Sequence, residues 1–154
     1  MANTYTQLYV QVVFAVQGRV SLIHPHWEEE LYKYITGIVQ NRKHKMLAIN
    51  GMPDHIHIFI GLHPGDSISD LVREIKKASN SFINEKKYSK LPFQWQSGYG
   101  AFSYSRSALD SVVNYIRNQK EHHKKSTFKE EYLKLLIDSG IEYNETYLFD
   151  WVEE

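Results

Sequence analysis

Two histidines one residue apart constrain the chain more than any other feature. Pro53-Asp54-His55-Ile56-His57-Ile58-Phe59-Ile60-Gly61-Leu62 alternates as a β-strand does, so residues two apart share a face. Ile56, Ile58, Ile60 and Leu62 form an apolar stripe for a core. His55, His57 and Phe59 fall on the opposite face. Two imidazoles held side by side on a stiff strand make half of a metal site, because imidazole takes several transition ions and shares harder ions with oxygen ligands. The same spacing also suits two half-exposed polar residues with no special role. The rest of the chain has to separate the two readings.

A chain of 154 residues suits one domain with a substantial core. It has no cysteine, which excludes disulfides and thiolate metal sites. No apolar run is of membrane-spanning length and the first residues do not resemble a signal peptide, so a cytoplasmic protein without membrane contact is expected. Lysine plus arginine, 18, equals aspartate plus glutamate, 18. General nucleic-acid binders are usually basic, so a nucleic-acid role here has to rest on a local patch or a metal.

Residues 4–16 alternate and read as a first strand, central because both faces carry apolar residues. Trp27, Leu31, Tyr34, Ile35, Ile38 and Val39 recur at helical spacing behind Pro25, with Glu28, Glu29 and Glu30 in the first turn. Residues 45–50 give a strand, residues 51–54 a turn and residues 55–62 the histidine strand. Ser67-Ile68-Ser69-Asp70 opens a second helix in the manner of a capping box. Arg73, Lys77, Asn80 and Asn84 share a face of that helix, which is either an ordinary solvated face or a phosphate-contacting stripe.

Residues 93–96, 97–100 and 101–105 read as strand, turn and strand. Ser107-Ala108-Leu109-Asp110 starts a third helix, over about 107–120. A basic connection follows and contains His122 and His123. Thr127 caps a last helix with Phe128, Tyr132, Leu135 and Leu136 inward and Gly140 as its stop. The tail carries Tyr147, Leu148, Phe149 and Trp151, and so is expected to dock on its own domain or on a second subunit. Helix and tail together span about 127–154 of a single domain, 1–154.

The order β-α-β-β-α-β(β)-α is the split βαβ, ferredoxin-like (RRM-like) plan. The fold class is therefore α+β: an antiparallel sheet with helices on one face, plus C-terminal helices. The first and third strands are central in that plan, which puts both histidines mid-sheet on the open face.

Tyr115 and Gln119 are four apart on the third helix and project on one side. Taken alone they are an amphipathic edge residue and a solvated amide. Taken with the histidines they complete a chemistry. Two imidazoles and an amide oxygen would hold a divalent ion with positions open for phosphate oxygens. A tyrosine one turn away can attack that phosphate once a cation helps it lose a proton held with a pKa of about 10.

In this combination the chain resembles the HUH-type single-tyrosine transposases of small insertion sequences that move as single-stranded DNA, the IS200-like transposase family. The resemblance is carried by Asn50-Gly51-Met52-Pro53-Asp54-His55-Ile56-His57, by Ser67-Ile68-Ser69 running into Lys76-Lys77-Ala78-Ser79, by Gly98-Tyr99-Gly100-Ala101-Phe102-Ser103, and by Tyr115-Ile116-Arg117-Asn118-Gln119 with His122-His123 behind it. It runs from about Tyr9 to about Leu148. It implies that His55, His57 and Gln119 bind Mg2+ or Mn2+. It implies that Tyr115 attacks single-stranded DNA, leaving a 5′-phosphotyrosine and a free 3′-OH. It also implies hairpin-marked element ends as substrate, and a homodimer whose active sites are shared between subunits. Such an enzyme works in a prokaryotic cytoplasm, at the nucleoid when active. Arg73, Lys76, Lys77, His122 and His123 are the candidates for DNA contact.

Three other readings stay open. A single-stranded nucleic-acid-binding module would stack bases on Phe59, Tyr9 and Tyr99 and need no metal. A hydrolytic zinc enzyme would use His55, His57 and a third histidine. A host-retained relative would process repeats without transposing.

Overall fold

The computed structural model describes residues 3–152. Four strands, β1 (Tyr9–Ala15), β2 (Lys45–Met52), β3 (His55–Gly61) and β4 (Gly100–Tyr104), form one antiparallel sheet in the order β2-β3-β1-β4. The helices are α1 (Pro25–Asn41), α2 (Ile68–Lys86), α3 (Leu109–Arg117), α4 (Gln119–His122) and α5 (Phe128–Asp138). This is the expected α+β plan, with β1 and β3 at the centre. None of these helices is long and apolar enough to cross a membrane.

Alternation along β3 decides what lies on each side. Ile56, Ile58 and Ile60 join Leu31, Ile35 and Val39 of α1 and Leu71, Val72 and Ile75 of α2 in the main core. The other side is not the open face that the sequence suggests. Ala48 and Phe59 are apolar there too, and Val112 and Ile116 of α3 close over them in a second cluster. Phe59, His55 and His57 are fully buried as a result. A base-stacking platform that includes Phe59 is therefore covered by the protein's own helix.

Some boundaries differ from expectation for local reasons. The first strand is shorter than residues 4–16, because its pairing with β3 begins at Tyr9 opposite Gly61. Residues 93–96 do not form a sheet strand. The Asn84 side chain takes both the N–H and the carbonyl of Phe93, and only a single bridge joins Trp95 to Val16. At α3 the expected serine cap is absent. Ser107 is bonded to Ser105 through their hydroxyls, and a 3-10 turn, Arg106–Ala108, leads into the helix. Ser67 and Thr127 do cap α2 and α5, and Thr127 makes a full capping box with Glu130. Gly140 takes positive φ two residues beyond α5, where it ends the helix as expected.

The tail docks on its own domain. Phe149 packs on Tyr132, with ring centroids 4.9 Å apart, and Trp151 meets Phe128 edge-on at 5.4 Å. Gln96 clamps the tail backbone: its amide donates to the Asp150 carbonyl at 2.6 Å and its oxygen accepts from the Asp150 N–H at 2.8 Å.

Candidate active site

β3 presents both imidazoles to the side covered by α3 and α5. Each ring is fixed from behind. His55 Nδ1 lies 2.7 Å from Asp54 Oδ1, and His57 Nδ1 lies 2.6 Å from Gln11 Oε1 on the neighbouring strand β1. An N–H on Nδ1 satisfies each of those acceptors and leaves Nε2 as the nitrogen that faces the site, the one that would bind a metal once it carries no proton. Gln11 is itself held, donating to the Tyr104 hydroxyl at 2.7 Å.

Both Nε2 atoms converge on a residue that the sequence did not single out. Glu131 Oε1 lies 3.1 Å from Nε2 of His55, 3.1 Å from Nε2 of His57 and 3.1 Å from Nε2 of His123. Its other oxygen accepts from Gln119 Nε2 at 2.8 Å and from the Tyr115 hydroxyl. Gln119 Oε1 stands 3.3 Å from His55 Nε2. Tyr115 and Gln119 therefore share one side, as their spacing requires, although Asn118 interrupts the helix between them. The four-residue α4 starts at Gln119 itself.

Glu131 reaches this point because α5 is seated close to the sheet. Gly100 makes room: a Cβ there would lie 2.5 Å from the Tyr132 hydroxyl. Phe128 stacks on the His55 ring at 3.8 Å with an interplanar angle of 5°. One turn on, Glu131 points between the histidines. The sequence did carry a signal. Glu131 is three after Phe128 and four before Leu135, a carboxylate inside an apolar stripe, and such a group needs partners when buried.

The electrostatics follow from burial around one charge. Burial opposes ionisation of Glu131, but its bonds to His123, His55 and His57 outweigh that and hold its carboxyl well below the usual range. For His55, burial favours the neutral ring, yet Asp54 and Glu131 together push it up. For His57 burial wins and the ring is held down, with Glu131 opposing. Burial, and then the Glu131 charge, hold the Tyr115 phenol above its ordinary value.

These residues fit a divalent cation. Two imidazole Nε2 atoms, which a bound ion would take in exchange for any proton they carry, and an ionised carboxylate meet in a buried space, with an amide oxygen at its edge. Among the described residues, His55, His57 and Glu131 are the one group of histidine or acidic donor atoms that all lie within 4.8 Å of one another. Hard and borderline divalent ions both take such a mixed N and O set.

The remaining candidates are dispersed. His122 is exposed and stacks on the Tyr115 ring, centroids 4.5 Å apart. His123 is nearly buried beside Glu131. Arg73, Lys76 and Lys77 lie on α2, across the sheet from the histidines. Arg73 pairs with Asp70. Lys76 is half-buried, with Nζ donating to the carbonyls of Gln96 at 2.8 Å and Gly98 at 2.6 Å. Lys77 is exposed.

With this geometry in place, comparison with known proteins is specific. A family model described as "Transposase IS200 like" matches residues 4–119. The match ends at Gln119, so α5, Glu131 and the tail lie beyond it. Two solved structures share the fold. One is described as a transposase of Deinococcus radiodurans R1, with a TM-score of 0.62, 22% identity, and coverage of 77% of this chain and 95% of that one. The other is a REP-associated tyrosine transposase bound to a REP hairpin, with a TM-score of 0.60, 18% identity, and coverage of 97% of this chain and 91% of that one. No curated protein matches the sequence significantly.

Proposed function

The chain belongs to the family of IS200-like transposases, and on that premise we propose that it cuts and rejoins single-stranded DNA with Tyr115 as nucleophile. One carboxylate carries the reading. Glu131 takes Tyr115 and Gln119 on one oxygen and meets Nε2 of His55 and His57 with the other. His55, His57, Gln119 and Glu131 would hold a Mg2+ or Mn2+ ion, which would supply Lewis-acid polarisation of the scissile phosphate.

The steps that fall to the chain are few. The Tyr115 oxygen attacks phosphorus, a new P–O bond forms, and the bond to the 3′ oxygen breaks. The phenol proton, held in the resting site by the bond to Glu131 Oε2, passes to water, and the departing 3′ oxygen takes a proton from water. One phosphodiester is exchanged for another, so no nucleotide triphosphate is consumed. The products are a 5′-phosphotyrosine and a free 3′-OH, and attack by a 3′-OH on the phosphotyrosine rejoins the strand. Before substrate enters, burial and the Glu131 charge keep Tyr115 protonated.

Hairpin-marked ends are the proposed substrate, supported by the fold neighbour bound to a REP hairpin. The same neighbour supports a narrower form of the reading, a host-retained relative that processes repeats. Hairpins flanking the gene as scattered repeats rather than as element ends would favour that form. Assembly as a homodimer is part of the proposal, but Tyr115 meets Glu131 of its own chain, which supports attack in cis.

The test is an adduct. Protein with Mg2+ or Mn2+ and single-stranded oligonucleotides from the gene's flanks should give a covalent protein–DNA species by intact mass. Tyr115→Phe should give none. An adduct that persists in the variant overturns the nucleophile, and hairpin binding without any adduct turns the reading to a binding protein.

A further inference from the structure

Three cavities run end to end beside the active site, along the start of α5 and the tail. The largest, about 810 Å³, opens between the β2–β3 turn, the loop after α4 and Trp151. It shares Trp151 and Val152 with a cavity of about 490 Å³ that reaches Arg19. It shares His123, Lys125, Ser126 and Glu130 with another of about 520 Å³ that reaches Tyr115 and His122. The three make one trench, from Arg19 past Trp151 to the nucleophile.

The charges along it are unequally committed. Arg19, Lys125 and Lys129 are exposed and have no carboxylate partner among the described residues. The acids of the central cavity are spent: Asp54 holds His55 Nδ1, and Glu130 accepts from the Thr127 N–H and hydroxyl. Among the described residues the trench therefore presents three free cations against one free carboxylate, that of exposed Asp150, in a chain of zero net charge. At the junction of two cavities stands Trp151, half-buried, its backbone neighbour Asp150 clamped by Gln96. The position of the indole is thus set before any ligand arrives.

Resting on the transposase reading, we propose that this trench binds the single-stranded DNA segment adjoining the cleaved phosphate. Arg19, Lys125 and Lys129 take its phosphates, and Trp151 stacks under one base. Free cations interleaved with a fixed aromatic face match a strand whose bases are unpaired, whereas a duplex hides its base faces. Continuity with Tyr115 gives the strand a direct path to the nucleophile. Of the residues assigned to the strand, Lys125, Lys129 and Trp151 lie outside the matched stretch 4–119 and Arg19 lies within it.

The experiment measures binding of fluorescein-labelled oligothymidylate, which forms no hairpin, to the full chain by anisotropy across a salt series. The wild type binds. Lys125→Ala/Lys129→Ala binds less tightly and its log–log salt slope falls by about 1.4, two contacts at about 0.7 each. Trp151→Ala loses about fivefold or more, and Trp151→Phe recovers most of it, which a loss of folding would not allow. Wild-type binding that these variants leave unchanged overturns the trench, as does absence of wild-type binding. Loss confined to an Arg73→Ala/Lys77→Ala protein overturns it too, by moving the strand to α2. The Tyr115 adduct is read in parallel. Adduct formation with trench variants that bind normally removes the trench alone. Trench-dependent binding without adduct keeps the trench and removes the chemistry.

Discussion

The Tyr115 hydroxyl donates to Glu131, a carboxylate 16 residues further on whose other oxygen faces Nε2 of His55 and His57. The proposed nucleophile and the proposed ion thus share one buried anion. Glu131→Ala should weaken Mn2+ binding at least tenfold, as measured by titration calorimetry, by analogy with the roughly 10- to 100-fold cost of losing a supporting group. In Glu131→Gln the Tyr115 phenol should titrate closer to its ordinary value by ultraviolet absorbance, because a charge that opposes its ionisation is gone. Unchanged metal affinity in both proteins would take Glu131 out of the ligand set.

Gln11 acts one step back from the proposed ion site. Its Oε1 accepts from His57 Nδ1 at 2.6 Å, so it fixes both the tautomer and the tilt of the ring. Gln11→Leu keeps the size and removes the acceptor. Manganese affinity should fall by about 10- to 100-fold while the far-ultraviolet circular dichroism stays that of the wild type. Wild-type affinity would show that packing alone holds the ring.

The parts of the site legible in the sequence are those set by local periodicity. Alternation places His55 and His57 together, and a spacing of four places Tyr115 beside Gln119. Both relations are fixed within one strand or one helical segment. Glu131 and Gln11 escaped because their roles depend on which elements meet. Gln11 alternates correctly onto the histidine side of β1, but only the register Val13 opposite His57 brings it alongside that ring. Glu131 needs α5 to cross the sheet at Gly100, a packing decision made by the small size of a residue 31 positions earlier. The open sheet face failed as an expectation for the same reason. Phe59 and Ala48 announced an apolar surface, but only α3's own stripe, Val112 and Ile116, shows what covers it.

Attack in cis has a clean check. Tyr115→Phe lacks the proposed nucleophile and His57→Ala a proposed ligand, so neither alone should form an adduct. If each tyrosine serves the histidines of its own chain, a mixture of the two variants should form adduct at less than about a tenth of the wild-type initial rate in a time-resolved intact-mass assay, a threshold equal to about 1.4 kcal/mol of barrier. Recovery in the mixture would show that subunits exchange their tyrosines across a dimer, against the arrangement Tyr115 has with Glu131 of its own chain.

Lys76 gives a stability prediction with a defined sign. Burial pushes its ammonium down to about 8 from an ordinary 10.5. The Gln96 and Gly98 carbonyls and the Phe14 ring, 5.3 Å from Nζ, favour the charged form and limit that fall. Between the two values the unfolded chain binds more protons than the folded one, so stability rises with pH through that window. Below it the folded state carries the cost of a half-buried charge. Lys76→Met has no group to titrate there. Urea midpoints measured at about pH 7 and about pH 10 should therefore move in favour of the wild type relative to Lys76→Met as pH rises. The raised tyrosines, Tyr32 and Tyr132 among them, are present in both proteins and cancel in the difference. A difference that runs the other way would mean that the two carbonyls hold the ammonium more firmly than burial opposes it. Lys76 would then be a charged strut between α2 and the 96–98 turn, most stabilising below its folded pKa and lost above it.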